Sequence, residues 1–326
     1  MNRSRPDKTA AIVLLAWVAI AAACSKKPDG SSADAGLASA SASAVEEEPE
    51  PIDVTPGPAS ASASAFAEEP EPIPNGKCPR EMVLIQGRYC IDRWEAHLVD
   101  RQSGSPLSPY YPPDRRLALR LHDTWDRERL TVGNAKAQAM PVPELPLFQR
   151  ERDVEFVAVS KPNVTPNGYL TGHNARKACE RAGKRLCKAT EWVNACEGAA
   201  HQMFPYGNEY KPGLCNIFRP KHPAAELHGD ASKGHLDPRL NLVTDGGDPL
   251  LRKTGGTKTC TSKWGDDAVY DMNGNLDEWV EDPKGRFLGG FFSRGKKDGC
   301  LSSVGSHPND YFDYSTGVRC CADPKP

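Results

Sequence analysis

The sequence lacks the features that would most directly indicate a nucleic-acid, zinc or hydrolase site. Its 41 Lys and Arg residues nearly balance 43 Asp and Glu residues, which gives a formal net charge of −2, so nothing indicates a nucleic-acid partner. There is no C-x-x-C or H-x-x-x-H pair to hold a structural zinc ion. No Ser-His-Asp constellation or phosphate-binding loop can be made out either. The N-terminus and the cysteines are therefore the informative features.

The apolar run near the N-terminus is too short to cross a bilayer comfortably, which takes about 20 apolar residues. It covers residues 10–23, follows a basic start and ends in small residues, as secretory signal peptides do. Residues 21–24 resemble a lipobox, in which the cysteine receives a diacylglycerol and becomes the new N-terminus. We predict a signal peptide over residues 1–23 and a lipid anchor on Cys24; ordinary cleavage beside a chance cysteine, or an uncleaved anchor, is the alternative. Ser25 resembles an outer-membrane sorting choice, so we expect the outer membrane, the cell surface or the periplasm.

Residues 24–77 are expected to form a tether rather than a fold. Ser, Ala, Pro and Glu dominate, and ASASASAVEEEPEPID at 38–53 is repeated as ASASASAFAEEPEPIP at 59–74. So few large apolar groups cannot offset the entropy of ordering the backbone. About fifty such residues reach roughly 40 Å. The globular domain is therefore predicted over residues 78–326.

Ten of the eleven cysteines lie in that domain, an even number in a chain addressed to an oxidising compartment. Disulfides are the default interpretation of such a pattern. The most local expected bridge joins Cys78 to Cys90 across a hairpin formed by a strand at 82–85 and a returning strand at 89–91. The pattern also predicts a strand over 154–159.

Two helices are predicted from apolar residues at i, i+3, i+4 and i+7, which places Cys179 and Cys196 on their inner faces. Residues 100–165 otherwise show little periodicity and are expected to be mostly loop. The same holds for residues 200–263, which are rich in Gly, Pro, Asp and Asn. Three histidines in that second stretch are interpreted as solvent-exposed loop residues rather than metal ligands: His222, His228 and His235.

Several motifs resemble, in order, those of the sulfatase-modifying-factor domain, whose namesake is the formylglycine-generating enzyme. They are AGKRL followed by TEW at 182–192, FPYGNE at 204–209, CNI at 215–217, VYDMNGNLDEW at 269–279, and GG with TGVRC at 289–290 and 316–320. The agreement runs from about residue 78 to 323. The resemblance implies an α+β, C-type-lectin-like fold with little regular secondary structure.

The family's calcium positions can be carried over one residue at a time. One implied site uses Asn216, Ile217 and Asp230, with the Ser232 carbonyl. The other uses four further residues: Asp271, Gly274, Leu276 and Glu278. Calcium takes six to eight oxygens, which loops supply readily, but the same polar residues also form ordinary loop hydrogen bonds.

The family's enzymes bind copper(I) through two cysteines shortly after the Gly-Gly pair, and use oxygen to oxidise a substrate cysteine. Thiolates suit copper(I) because both are soft. Arg294 stands where the first of these cysteines is expected, and Cys300 fits a structural bridge to Cys196 better. The resemblance implies four bridges beyond the hairpin: Cys196–Cys300, Cys215–Cys260, Cys179 with Cys320 or Cys321, and Cys187 with the remaining neighbour. Copper is therefore not expected.

Two hypotheses about function follow. The first is a non-catalytic binding or assembly module that holds a peptide, a glycan or a partner protein near the membrane, with calcium as a structural ion. The second is an oxidoreductase related to the formylglycine-generating enzymes, which acts on a protein cysteine through a rearranged site. A lectin-like fold does not by itself make sugar the ligand.

Overall fold

The computed structural model describes residues 76–295 and 298–326. The predicted signal peptide, the predicted lipidation site at Cys24 and the predicted tether up to residue 75 lie outside the described residues. Within the described ranges, no helix is both long and apolar enough to cross a membrane.

Helices and strands each make up a modest part of the described chain. The helices are α1 Arg115–Glu128, α2 Ala135–Ala139, α3 Leu147–Glu151, α4 Gly172–Arg181, α5 Ala189–Glu197 and α6 Pro223–His228. Strands before residue 200 are β1 Met82–Ile85, β2 Tyr89–Asp92, β3 Ala96–Asp100, β4 Phe156–Ser160 and β5 Arg185–Leu186. Later strands are β6 Thr244–Asp245, β7 Asp248–Pro249, β8 Thr261–Trp264, β9 Asp267–Tyr270, β10 Asp277–Val280, β11 Arg286–Leu288, β12 Ser303–Gly305, β13 Thr316–Val318 and β14 Cys320–Ala322.

Two four-stranded sheets organise these elements, with the orders β1-β2-β14-β5 and β12-β11-β10-β13. The pairs β3-β4, β6-β7 and β8-β9 form separate two-stranded sheets. Because β10 and β13 pair in parallel, Glu278 lies opposite Gly317. This register brings the loop that enters β10, residues 271–276, beside the chain that enters β13, residues 313–315.

The predicted hairpin, the predicted strand near residue 154 and both predicted helices are confirmed. Helix α4 begins at the N-cap Thr171, whose hydroxyl accepts a hydrogen bond from the Asn174 amide at 2.9 Å. It buries Ala175, Ala178 and Cys179, and it stops before Gly183, whose φ of +71° suits a residue without a side chain.

The expectation that residues 100–165 are mostly loop is wrong in part, because they contain α1, α2 and α3. Helix α1 is 14 residues long and is capped by Asp114, whose side chain accepts from the Leu117 amide. Only Ala118 and Leu121 are buried on it. Leu119 and Trp125 pack partly buried beside these two residues, so the helix has an apolar face that the prediction of loop does not take into account.

Five disulfides connect the domain, and the general expectation of bridged cysteines is confirmed. The pairs are Cys78–Cys90, Cys179–Cys320, Cys187–Cys321, Cys196–Cys300 and Cys215–Cys260. Three of them, which we call the clustered bridges, tie residues 179–196 to residues 300–321: Cys179–Cys320, Cys187–Cys321 and Cys196–Cys300. They fasten α4, α5 and the residue after β5 to β14 and to the turn at Cys300.

Candidate functional site

A buried ion pair lies at the centre of the domain, between the loop that enters β10 and the end of β13. Both Arg319 and Glu278 are about 1% exposed or less. The Arg319 Nη2 and Nε atoms donate to the Glu278 carboxylate at 2.8–3.1 Å. The Trp192 indole N–H donates to the same carboxylate at 2.6 Å. Glu278 is thus held by a guanidinium and an indole in a site without water access.

Two further carboxylates, those of Glu95 and Asp271, complete what we call the acid core, together with Glu278 and Arg319. Burial raises the pKa of Glu95 well above its usual range, and the nearby Asp271 and Glu278 carboxylates raise it further. Burial likewise raises the pKa of Asp271 to about 7, against a hydrogen bond from the Gly255 amide. The acid core therefore contains three carboxyl groups but only one guanidinium group to neutralise their charge.

Asn275 connects Glu95 to the loop that enters β10. Its Nδ2 atom donates to Glu95 Oε2 at 2.6 Å, and the Leu276 amide donates to Glu95 Oε1 at 3.1 Å. Asn275 Oδ1 accepts from Asn216 Nδ2 at 2.9 Å. Gly274 lies so close to Asn216 that a Cβ atom would come within 2.3 Å of the Asn216 carbonyl oxygen. Only glycine permits this approach, so Gly274 is required by packing as well as by its φ of +96°.

The two predicted calcium sets have different fates. Asp271, Gly274 and Leu276 are buried in the loop that enters β10, and Glu278 is buried in β10 itself. Asn216 and Ile217 are also buried, and the Oδ1 atom of Asn216 has no hydrogen-bond partner among the described residues. The Asp230 side chain is 43% exposed, and its carboxylate accepts hydrogen bonds from the amide and the hydroxyl of Ser232.

The oxygens of the acid core fit a cation by charge but are already engaged in hydrogen bonds. In the part of the chain that is described, no three His, Cys, Asp or Glu side chains are arranged to hold a metal ion. A calcium ion at the second set would draw on Asp271, the carbonyls of Gly274 and Leu276, and Glu278. It would supply the positive charge that Arg319 alone does not.

The segment where the family's copper cysteines are expected does not fit copper. Arg294 forms an ion pair with the buried Asp277, and its guanidinium carbon lies 5.3 Å from the ring centre of Phe291. Cys300 is bridged to Cys196. The donors at this position are thus a guanidinium and a disulfide, neither of which offers the thiolate that copper(I) requires.

Arg294 also borders a cavity of about 170 Å³, which we call the aromatic cleft. Seven aromatic or imidazole side chains line it: Phe287, Phe291, Tyr311, Tyr314, His222, His235 and His307. Arg294, Val304, Asp313 and Ser315 complete the lining. The Tyr314 hydroxyl lies 3.2 Å from His222 Nε2, and the Tyr311 hydroxyl donates to Asp313 Oδ2 at 2.6 Å. The cleft gathers titratable groups in one concave surface, which is typical of a binding site.

The interpretation of the three loop histidines as solvent-exposed is wrong for His228. Its side chain is 4% exposed and its Nε2 atom lies 3.0 Å from Asp237 Oδ2. His222 and His235 are half-buried and line the aromatic cleft. The loop is irregular, as predicted, but its packing against Tyr314 cannot be read from local sequence.

Sequence reasoning missed Glu95, Asp277 and Asp313. Glu95 stands between the apolar Trp94 and Ala96, just before β3. An acidic residue between apolar neighbours indicates a buried polar contact. Asp277 occupies a position that the family motif leaves open. Asp313 carries no sequence signal of its own, because its position beside the cleft follows from the parallel pairing of β10 and β13.

The comparisons with known proteins agree with this architecture. The family described as "Sulfatase-modifying factor enzyme 1-like domain" matches residues 147–316, which is just over half of the 326 residues. The chain belongs to this family, and it has the family's mixed α+β, C-type-lectin-like fold.

Two curated relatives match parts of the chain. The bovine (Bos taurus) "Inactive C-alpha-formylglycine-generating enzyme 2" is 28% identical over 116 residues, which is 35% of this chain and 32% of that protein. The mouse (Mus musculus) "Formylglycine-generating enzyme" is 26% identical over 175 residues, which is 48% of this chain and 44% of that protein. The chain thus matches less than half of the length of either relative.

Solved structures with similar folds are distant. PvdO from Pseudomonas aeruginosa is 15% identical, with a TM-score of 0.34, covering 72% of this chain and 80% of that one. The Major Tropism Determinant U1 variant is 15% identical, with a TM-score of 0.36, covering 76% of this chain and 53% of that one.

Proposed function

We propose that this chain is a non-catalytic binding or assembly module, in which the aromatic cleft holds part of a partner polypeptide. The observation that carries the proposal is the Arg294–Asp277 ion pair at the position of the family's first copper cysteine. The Cys196–Cys300 bridge supports it, because it removes the other thiol of that segment. The bovine relative, whose name calls it inactive, suggests that the family tolerates loss of the oxidase reaction.

The oxidase alternative is tested by supplying everything the reaction would need. The full chain, purified after export to an oxidising compartment, is incubated with copper(I), oxygen and a cysteine-containing peptide. We expect no aldehyde in the peptide by mass spectrometry. The mouse formylglycine-generating enzyme serves as the positive control. Aldehyde formed at a rate that depends on this chain would overturn the non-catalytic proposal.

We further propose that the module is tethered to a membrane by a lipid on Cys24. The support is the lipobox-like sequence of residues 21–24 and the Ser/Ala/Pro/Glu tether that follows it. The wild-type chain is expected to fractionate with membranes and to incorporate labelled acyl chains. The variant Cys24→Ser is expected to do neither. Equal membrane association of both chains would contradict the anchor.

Calcium is proposed as a structural ion at the set formed by Asp271, Gly274, Leu276 and Glu278. The support is the surplus of buried carboxylates over guanidinium in the acid core. Because calcium would bind only the folded state, a concentration of about 100 times its dissociation constant should stabilise the protein by about 2.7 kcal/mol. The expected result is a melting temperature several degrees higher in calcium than in chelator.

Matched variants distinguish the two predicted calcium sets. Asp271→Asn should abolish the stabilisation by calcium, whereas Asp230→Asn should leave it unchanged. Loss of the calcium effect in Asp230→Asn alone would move the ion to the first set. Superimposable melting curves of the wild-type chain in calcium and in chelator would contradict the calcium proposal altogether.

A further inference from the structure

Among the described residues, the aromatic cleft contains one carboxylate, that of Asp313, whose charge is not balanced by a contacting cation. Asp277 is paired with Arg294, so these two charges cancel. The contacts of the Asp313 carboxylate with residues that the structure describes are neutral: Oδ1 accepts from the Ser315 amide at 2.8 Å and its hydroxyl at 2.7 Å, and Oδ2 accepts from the Tyr311 hydroxyl at 2.6 Å. A carboxylate oxygen can accept two hydrogen bonds. Oδ2 therefore has room for one more donor.

The negative charge of Asp313 reaches the rings around it. Burial raises the pKa of the Tyr311 hydroxyl, and the Asp313 carboxylate raises it further. The same two causes raise the pKa of Tyr314, in the same order. Both tyrosines thus stay neutral beside a carboxylate that is 6% exposed. The local potential favours a positive ligand.

The rings form walls that suit a cation. The ring centres of His307 and Tyr311 are 4.3 Å apart, and those of Phe291 and Tyr314 are 5.5 Å apart and meet edge to face. The faces of aromatic rings attract ammonium and guanidinium groups. The cavity of about 170 Å³ is slightly larger than the roughly 150 Å³ cavity that holds a benzene molecule. It has room for one side chain.

We propose that the aromatic cleft binds a single lysine or arginine side chain of a partner protein, with its charge beside Asp313 and its stem against the rings. This inference rests on the proposed function as a binding module and specifies what the module recognises.

The test uses capped amino acids as probes and the full chain purified after export. The probes are N-acetylated, C-methylamidated lysine, arginine, norleucine and glutamate, titrated by ligand-observed NMR. Lysine and arginine should bind at least about tenfold more tightly than norleucine, because they add a charged hydrogen bond and cation–π contacts. Glutamate should not bind. Added salt should weaken the binding of the two cationic probes.

Two variants show whether Asp313 is responsible. Asp313→Asn keeps an oxygen for the Ser315 contacts but removes the charge, and it should lower the affinity for lysine about tenfold, to the level of norleucine. Tyr311→Phe keeps the ring, removes one hydrogen bond to Asp313, and should retain lysine binding. The melting temperature of each variant shows that it is folded.

Equal affinity for lysine and norleucine would overturn the inference, as would unchanged lysine binding in a folded Asp313→Asn chain. Binding of none of the probes would overturn it too. The proposed non-catalytic role would survive any of these results, because it fails only if the chain forms an aldehyde in the peptide oxidation assay.

Discussion

Replacing Arg319 with methionine is expected to lower the free energy of unfolding by about 3–5 kcal/mol in chelator. The guanidinium is completely buried and makes three hydrogen bonds to Glu278. Methionine would leave that carboxylate buried and unpaired beside Glu95 and Asp271, which is the costly way to break a buried ion pair. Urea unfolding with the disulfides intact measures the change.

Three comparison variants make this result interpretable. Arg319→Lys should lower the free energy of unfolding by less, because it keeps the positive charge. It should still lower it, because lysine lacks the forked geometry of the guanidinium. Combining Arg319→Met with Glu278→Gln should recover part of the loss, since the stranded charge is removed. Arg176→Met breaks the exposed pair with Glu281, in which both side chains are at least 40% exposed, and should cost less than about 1 kcal/mol. A change below about 1 kcal/mol in Arg319→Met would contradict the assignment of the acid core.

The second large effect is expected from the clustered bridges, because each one shortens the loop that another closes. Cys179 and Cys187 are eight positions apart, and their partners Cys320 and Cys321 are adjacent. While one of these two bridges is intact, the other closes a loop of only about ten residues. In the chain-entropy description, losing either bridge alone costs about 2.5 kcal/mol.

Losing both bridges at once is expected to cost about 6 kcal/mol, more than the sum of the single losses. The reason is that the remaining Cys196–Cys300 bridge leaves a loop of about 30 residues between the two segments. Alanine replacements of each pair, and of both pairs together, followed by urea unfolding, measure the three values. If the free energy of unfolding falls no more in the double variant than in either single variant, this arrangement of the bridges would be contradicted.

The sequence predicted best those elements whose signals are local. The hairpin of β1 and β2 has a short apolar run on each side of the turn at Gln86-Gly87, and α4 has an apolar face and a terminal glycine. Helix α1 also has an apolar face, with Ala118, Leu121 and Trp125 at helical spacing, and the prediction of loop for residues 100–165 missed it. Residues 200–263 show no helical or strand pattern in the sequence, and most of this stretch is indeed irregular in the structure.

The site was predictable only where the family motifs carry it. Arg294 at the copper position and the buried run from Asp271 to Glu278 could be located from the motifs alone. The aromatic cleft could not, because its walls come from three separate parts of the chain: residues 222–235, 287–307 and 311–315. Glu95 reaches the acid core from just before β3, nearly 180 positions before Asp271, and no local pattern encodes such a contact.

The most direct test of the account is a count of free thiols in the full chain after export, by alkylation and mass spectrometry, followed by copper(I) titration. The ten cysteines from Cys78 onward are expected to form five disulfides, with Cys196 bridged to Cys300, and copper(I) is expected not to bind tightly. A free Cys300 beside a second free thiol, with stoichiometric copper(I) binding, would contradict the account and restore the oxidase interpretation.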